Sequence, residues 1–558
     1  MSISTRRPMG IETEFGIVHA DDEARGRAGA SASIRLSHYA VAAYALLEDS
    51  PHERVRWDYG DESPLRDARG FEIQRASAHP TQLTDTVQDA HVPSVELSHA
   101  LAVGDDIPAD LDDAATIHVA ERRAIGNAVL RNGARLYVDH AHPEYSSPEV
   151  MTAREAVVFD RAGEEIARRA MARVAGADGV PDIALFKNNT DGKGQSYGTH
   201  ENFLVDRQVP FARLTEILIP FLVTRQILVG AGRVGIGTRA ETPGFQISSR
   251  ADFFEAEVGL ETTLNRPIVN SRDEPHADAS RYRRLHLIIG DANLYETSTF
   301  LKLAMTSLVL AVAEREHESG ERLLPAITLV DPVAAVRAIS HDLSLTARYP
   351  TREGEDLTAI EIQRRYLAAV RACLGAGPSD GATSPDEETA SALELWEDLL
   401  DRLERDPSSA AAQIEWVGKW VLCDQFRTRH GLEWDDPRLS ALDLTFSDLR
   451  PERSLVEKLK GASRVDTLVS PAEVREAMSV PPVSTRAYLR GHLVREHRSD
   501  LDSAGWDAVT LRHGGSALRL RFADPALGSA AWCAAHGIDP TSSIEELAVA
   551  AEALGSRT

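Results

Sequence analysis

The chain has 558 residues, with 61 Lys and Arg against 86 Asp and Glu and a formal net charge of -25, which excludes the broad basic footprint of a general nucleic-acid binder. Its composition, 43% hydrophobic and 26% charged, is that of an ordinary globular protein, and no stretch approaches the roughly 20 uninterrupted apolar residues of a membrane span. Its length predicts one large domain with an appendage, or two to three domains, its three scattered cysteines form neither a disulfide framework nor a metal-spacing motif, and an N-terminus without an apolar signal core predicts a cytoplasmic protein.

In chain order, residues 9–20 read as a strand in which Glu12 and Glu14 share one face and Ile11, Thr13 and Phe15 the other. Two carboxylates so close repel unless a cation sits between them, and a hard cation with oxygen ligands fits that role. Residues 36–48 read as an alanine-rich helix and 57–71 as an irregular, heavily charged segment. From Glu72 to about Asp113 the chain is polar and weakly patterned, predicting a long mobile loop, and a short helix is predicted over 114–130.

The stretch Asn132 to Tyr145 carries the densest chemistry. Arg135, Tyr137 and Asp139 fall on one face of an extended strand, Leu136 and Val138 on the other, and Glu144 follows a turn at Pro143. Alone, this pattern describes a salt-bridged surface strand equally well. The Glu12/Glu14 strand favours a site that holds a phosphate, a divalent cation and a reacting carbonyl.

Beyond it, 153–174 has helical spacing, 183–189 and 199–205 read as strands, and Phe211 to Val229 as a helix. The glycines of 230–237 follow a helix rather than a strand and make a weak phosphate-loop signal. The basic cluster Arg281 to His286 reads either as a solvated helix face or as a site for phosphate or an acidic partner. A strand at 285–289, a core helix at 298–315, a linker at 375–386 and helices over 391–460 follow. A change of character near Val469 predicts a small C-terminal α/β unit. Strands grouped with helices predict an α+β fold, an antiparallel sheet covered by helices on one face, divided as 1–468 and 469–558.

Gly10-Ile-Glu-Thr-Glu-Phe-Gly16, Asn132 to Tyr145, Lys187-Asn-Asn189, Ser196 to Asn202 and Arg272 to Asp278, taken together, resemble the Pup ligase/depupylase family, which is related to glutamine synthetase and the carboxylate–amine ligases. The resemblance covers nearly the whole chain. It implies a glutamine-synthetase-like domain with a curved antiparallel sheet that binds ATP and Mg²⁺. By motif position Glu12, Tyr137 and Glu144 match metal ligands, with His200 and His276 as further ligands or nucleotide contacts. Arg135 and Ser147 match ATP-contacting positions, and Trp416 is expected to pack on the base. Arg284, with Arg281 and Arg283, is expected to meet either the ATP phosphates or Pup, which is acidic and disordered. Asp139 matches the catalytic aspartate, as nucleophile or as general base.

Arg56 to Phe71 and Val138-Asp-His-Ala-His142 resemble the hydrolase branch of the family; the ligase branch lacks that insert. The implied activity is deamidation of the C-terminal glutamine of Pup and cleavage of the isopeptide bond in pupylated proteins, with ATP not consumed. The alternative is a ligase that forms the same bond at the expense of ATP. The loop 72–113 is expected to lie over the active site as a lid.

Overall fold

The computed structural model describes residues 3–20, 30–48, 56–59, 62–74, 126–175, 177, 180–262, 265–375, 385–513 and 516–553. Apart from residues 72–74, the loop expected as a lid lies outside the described residues, as does 114–125 of the helix expected at 114–130. Residues 127–129 of that helix are a strand instead.

The strands are β1 (Met9–Glu14), β2 (Gly16–His19), β3 (Arg56–Trp57), β4 (Arg66–Asp67), β5 (Phe71–Glu72), β6 (Asn127–Val129), β7 (Arg135–Asp139), β8 (His142–Ser146), β9 (Ile183–Phe186), β10 (Thr199–Asp206) and β11 (Tyr282–Leu287). Six of them form one sheet in the order β11-β10-β1-β8-β7-β6, with every neighbouring pair antiparallel. Period-two patterning decides its faces. In β10, Thr199, Glu201, Phe203 and Val205 are buried while His200, Asn202, Leu204 and Asp206 are half-buried, and in β1 Met9, Ile11 and Thr13 turn into the core.

Helices α1 (Ala30–Glu48), α2 (Ala153–Ala175), α3 (Phe211–Val229) and α4 (Glu296–Ser319) pack on the apolar face and on one another. Among the described residues α4 is the one helix long and apolar enough to cross a membrane, but 94% of its apolar window is buried in the core. The buried Glu201 points among these helices and is matched by Arg225 of α3, whose two terminal nitrogens lie 2.6 and 2.8 Å from its oxygens. Lys187 is likewise held by Asp160 and Glu164 of α2 at 2.6 and 2.9 Å. A charge taken this far from water persists only with such a partner.

Two local expectations change. The glycine-rich stretch after α3 holds a strand, Arg233–Ile236, that pairs with Thr242–Gln246, so it is a hairpin and no phosphate loop. The basic cluster 281–286 belongs to β11 rather than to a helix face. Arg283 is buried, donating to Val209 O at 2.9 Å, and Arg281 is exposed and paired with Asp524.

The C-terminal unit comprises α7 (Ala487–Glu496) and the strands β12 (Leu501–Ala504), β13 (Ala508–His513) and β14 (Ser516–Arg521), followed by two short helices. Its core gathers Leu489, Leu493, Val509, Leu511 and Leu520. The expected boundary at 469 falls too early. After α5 (Glu415–His430), α6 (Pro471–Ala477) packs on α2, and Ala477 and Met478 belong to the main core. The divide therefore lies between 479 and 486. The unit is also not continuous in sequence: its sheet runs β14-β13-β12-β3, and Trp57 and Val129 join its core.

Arg225→Met leaves the Glu201 carboxylate buried without its cation, and urea unfolding is expected to register a loss of about 3–5 kcal/mol.

Candidate active site

Residues paired directly across antiparallel strands project from the same face. Glu12 lies opposite Ser146 on β8 and His200 on β10, and Glu14 opposite Glu144. Tyr137 lies opposite Glu144, Asp139 opposite His142, and Asn202 opposite His286. Register thus brings four carboxylates, Glu12, Glu14, Asp139 and Glu144, together from three adjacent strands.

Their partners differ. Glu12 accepts from Asn202 Nδ2 at 3.0 Å and lies 3.1 Å from His200 Nδ1. One atom each of Glu12, His200 and His286 lie within 4.8 Å of one another, as do one oxygen each of Glu14, Asp139 and Glu144. Glu144 accepts from the Tyr137 hydroxyl at 2.6 Å. Asp139 Oδ2 lies 3.0 Å from Nδ1 of His140, which sits in the β7–β8 turn with a left-handed φ of 52°.

Burial opposes ionisation of Asp139, but the charge and hydrogen bond of His140, with His200 and His142, outweigh it and hold the carboxyl at about 2. The same pair pushes His140 up to about 9. For Glu12, burial is again outweighed, by the His200 hydrogen bond and by His286 and Arg284, and its carboxyl stays well below the usual range. Glu144 goes the other way: burial, then Asp139, Glu12 and Glu14, push it well above. The site carries more negative charge than its own cations balance.

That excess fits a divalent cation. The Glu14, Asp139 and Glu144 set offers only oxygens, as a hard cation such as Mg²⁺ prefers, and the Tyr137 hydroxyl adjoins it. His286 Nε2 is buried with no hydrogen-bond partner among the described residues, an orphan that a ligand on the Glu12 side would satisfy.

Beside the carboxylates runs a cleft lined by Gly10, Glu12, Ser147, Glu149, Asn202, His276 and Arg284, and closed by Arg486 and Trp506 of the C-terminal unit. Glu149 ties the two parts together, accepting from Arg486 Nε at 2.5 Å and pairing with Arg490. Arg490 and Arg486 outweigh the effect of burial and hold its carboxyl at about 2. A second, roomier cavity of about 420 Å³ lies between Lys187, Arg233 and Lys419. Lys187 and Lys419 there are already paired, with Asp160 and Glu164 and with Asp443, so the carboxylate cleft carries the reactive groups.

Of the expected contacts, Ser147 and Arg284 line the cleft. The Ser147 hydroxyl accepts from Ile11 N at 2.9 Å and keeps its proton free to donate. Arg284 Nη1 donates to Asn202 Oδ1 at 2.6 Å and lies 3.6 Å from Glu12. Arg135 turns instead into an aromatic cage formed by Trp57, Tyr59 and Tyr137.

One assignment is corrected, and of the two roles expected for His276 the place in the cleft suits the nucleotide contact. Trp416 is 0% exposed on α5, its indole N–H donating to Ile227 O at 2.8 Å, so it has no face for a base; Trp506 is the tryptophan at the cleft. His276 lines the cleft, but His286 occupies the place beside Glu12 and His200. Burial and Arg284 bring His276 down to about 4, leaving it neutral. Glu149, Arg486, His140 and Arg250 were also passed over. Arg250 is buried, with its Nε unpartnered among the described residues and one long bond to Gly290 O at 3.4 Å, and burial beside Arg266 lowers it to about 10. Only His140, next to Asp139 in sequence, carried a local signal. The others meet the site through strand register or domain docking.

A family model described as Pup-ligase protein matches residues 7–510. The chain is 44% identical to a depupylase of Acidothermus cellulolyticus over 90% of each chain. It is 43% identical to a Pup deamidase/depupylase of Mycobacterium tuberculosis, over 94% of this chain and 95% of that protein. A solved structure of the Pup ligase PafA in complex with ADP superposes with a TM-score of 0.65 at 32% identity, covering 79% of this chain and 96% of that one.

Trp506→Ala is expected to weaken ATP binding, measured by calorimetry, at least about tenfold, the scale of one lost base–aromatic stack, and to lower Tm as well, because the ring packs on Trp57 and under Arg490. Trp416→Ala is expected to cost about 3–5 kcal/mol of stability and to leave the ATP affinity of the folded protein unchanged.

Proposed function

From the chain's membership of the Pup-ligase family, we propose that it is the hydrolase of that family: it converts the C-terminal glutamine of Pup to glutamate and releases Pup from lysines of pupylated proteins. What supports this reading is Asp139, whose carboxylate lies 3.0 Å from the His140 imidazole beside the cleft, each pushing the other toward its charged form, together with 43–44% identity to depupylases.

ATP would lie in the cleft along Ser147, His276, Arg284 and Arg486 with its base toward Trp506. Mg²⁺ would be held at the carboxylates, by Glu12, Glu14 and Glu144 with the Tyr137 hydroxyl beside them, His200 orienting Glu12 through their 3.1 Å contact. When bound, the cation would supply positive charge that polarises the scissile carbonyl, and the phosphates would offer negative charge that Arg284 and Arg486 can meet. Amide hydrolysis is downhill, so the nucleotide serves as a standing cofactor.

Asp139 does the bond-making work in one of two ways. It attacks the side-chain Cδ and expels the amine, leaving an anhydride that water opens, or it takes a proton from the water that attacks. Either way the departing nitrogen needs a proton, which His140, held cationic by Asp139, is placed to return.

Incubated with ATP, Mg²⁺ and Pup ending in glutamine, the protein is expected to convert the amide to the acid, read by mass spectrometry, equally well with a non-hydrolysable ATP analogue. Asp139→Asn is expected to lose at least about a thousandfold in kcat, the scale of a lost nucleophile or base; equal rates in the two proteins would remove Asp139 from the mechanism.

His140→Ala tests the electrostatics. Its cation lowers the Asp139 carboxyl to about 2, so without it that carboxyl rises toward the ordinary range. The acid limb of the kcat profile should then move to higher pH; an unmoved limb would show that His140 does not set the charge of Asp139.

A further inference from the structure

The segment that opens the charged insert belongs to two structures at once. β3 lies parallel to β12 with Trp57 opposite Ala504, and Asp58 N donates to Ala504 O at 3.0 Å. It is therefore a strand of the C-terminal sheet. Trp57 is 6% exposed and meets Trp506, the wall of the cleft, edge to face with ring centres 5.1 Å apart. Its Nε1–H donates to Glu62 Oε1 at 3.0 Å, which fixes the plane of the ring.

The same ring faces Arg135 on the catalytic strand. The guanidinium carbon lies 4.2 Å from the centre of a Trp57 ring, 3.8 Å from that of Tyr137 and 5.5 Å from that of Tyr59. Arg135 also donates Nε–H to Asn127 Oδ1 and Nη2–H to the Tyr59 hydroxyl, each at 2.9 Å. Aromatic faces and two neutral acceptors hold this charge, and the strongest such face for a guanidinium is that of tryptophan. One step along the strand from Arg135, on the same face, stands Tyr137, and one further stands Asp139.

We propose that Trp57 is a positioning residue that holds Arg135 against Tyr137, and through it links the Trp506 wall of the cleft to the catalytic strand. A nucleotide packed on Trp506 is thereby felt at Tyr137 and Asp139 without touching either. The inference rests on the reading above, that the cleft takes ATP and Asp139 performs the hydrolysis. A tryptophan needed only as filler for the C-terminal core would be replaceable by any large apolar side chain. A tryptophan needed for its π face would be replaceable only by another aromatic ring.

The test uses the full-length protein as wild type, W57F, W57L, R135M and W57L/R135M. ATP affinity with Mg²⁺ is measured by calorimetry, and deamidation of glutamine-ended Pup is resolved into kcat and KM. W57L is expected to lower kcat about tenfold and weaken ATP several-fold, with the KM for Pup within about twofold, whereas W57F keeps most of both. R135M should reproduce the loss, and W57L should add nothing in the R135M background, the signature of two residues acting as one unit.

Additive effects of W57L and R135M, or a W57L that loses only Tm, would overturn the proposal and leave Trp57 as core filler. Should W57L not fold, the coupling between W57F and R135M decides in the same way. A wild type that binds no ATP and deamidates nothing would instead overturn the functional reading, so the two failures are distinguishable.

Discussion

Four carboxylates on one face of a sheet set the terms for everything around them. Glu12, Glu14, Asp139 and Glu144 arrive on three adjacent strands whose antiparallel register brings oxygens of the last three within 4.8 Å of one another and sets Glu12 beside His200 and His286. Buried like charges are costly, and each is relieved differently. Asp139 takes the adjacent imidazole, Glu12 takes His200, Asn202 and Arg284, Glu14 accepts from Gly198 N, and Glu144, its carboxyl pushed well above the usual range, accepts from the Tyr137 hydroxyl. The remainder is a standing demand for a cation. In this sense the site's affinity for metal and nucleotide is a consequence of how the sheet pairs.

The opposite face meets a matching constraint with a different answer. Glu201 and Lys187, pointed among helices, are paired within the protein by Arg225 and by Asp160 and Glu164. The charges of the core are balanced internally, whereas those of the cleft are left partly open. That asymmetry separates a structural polar group from a functional one here better than burial does, since both kinds are buried.

Much of this was legible in the amino-acid order. Alternation in β1 and β7 showed which residues share a face, β10 was read as a strand, and α2 to α4 followed from helical spacing and apolar runs. Register was not legible, because pairing is a contact between distant segments and leaves no local trace. That is why His286 went unnoticed beside Glu12 and His200: only the pairing of Asn202 with His286 brings it there. Trp416 was expected in place of Trp506 for a similar reason. A tryptophan on an amphipathic helix looks the same whether it lines a cleft or fills a core, and the cleft was closed by a unit whose docking, through Glu149, Arg486 and Arg490, spans more than 330 residues of chain. The boundary at 469 moved because the change of composition there coincides with a helix, α6, that still packs on α2.

The parallel pairing of β3 with β12 has a consequence for the order in which the molecule can be made. Trp57 emerges early in synthesis, yet the strand that receives it, Leu501–Ala504, is among the last. Until then the cage around Arg135 lacks its anchor and the cleft lacks its wall. A chain that ends before Leu501 therefore lacks both. The loop closure between the two segments, unfavourable in entropy and slow to find, places completion of the active site at the end of folding.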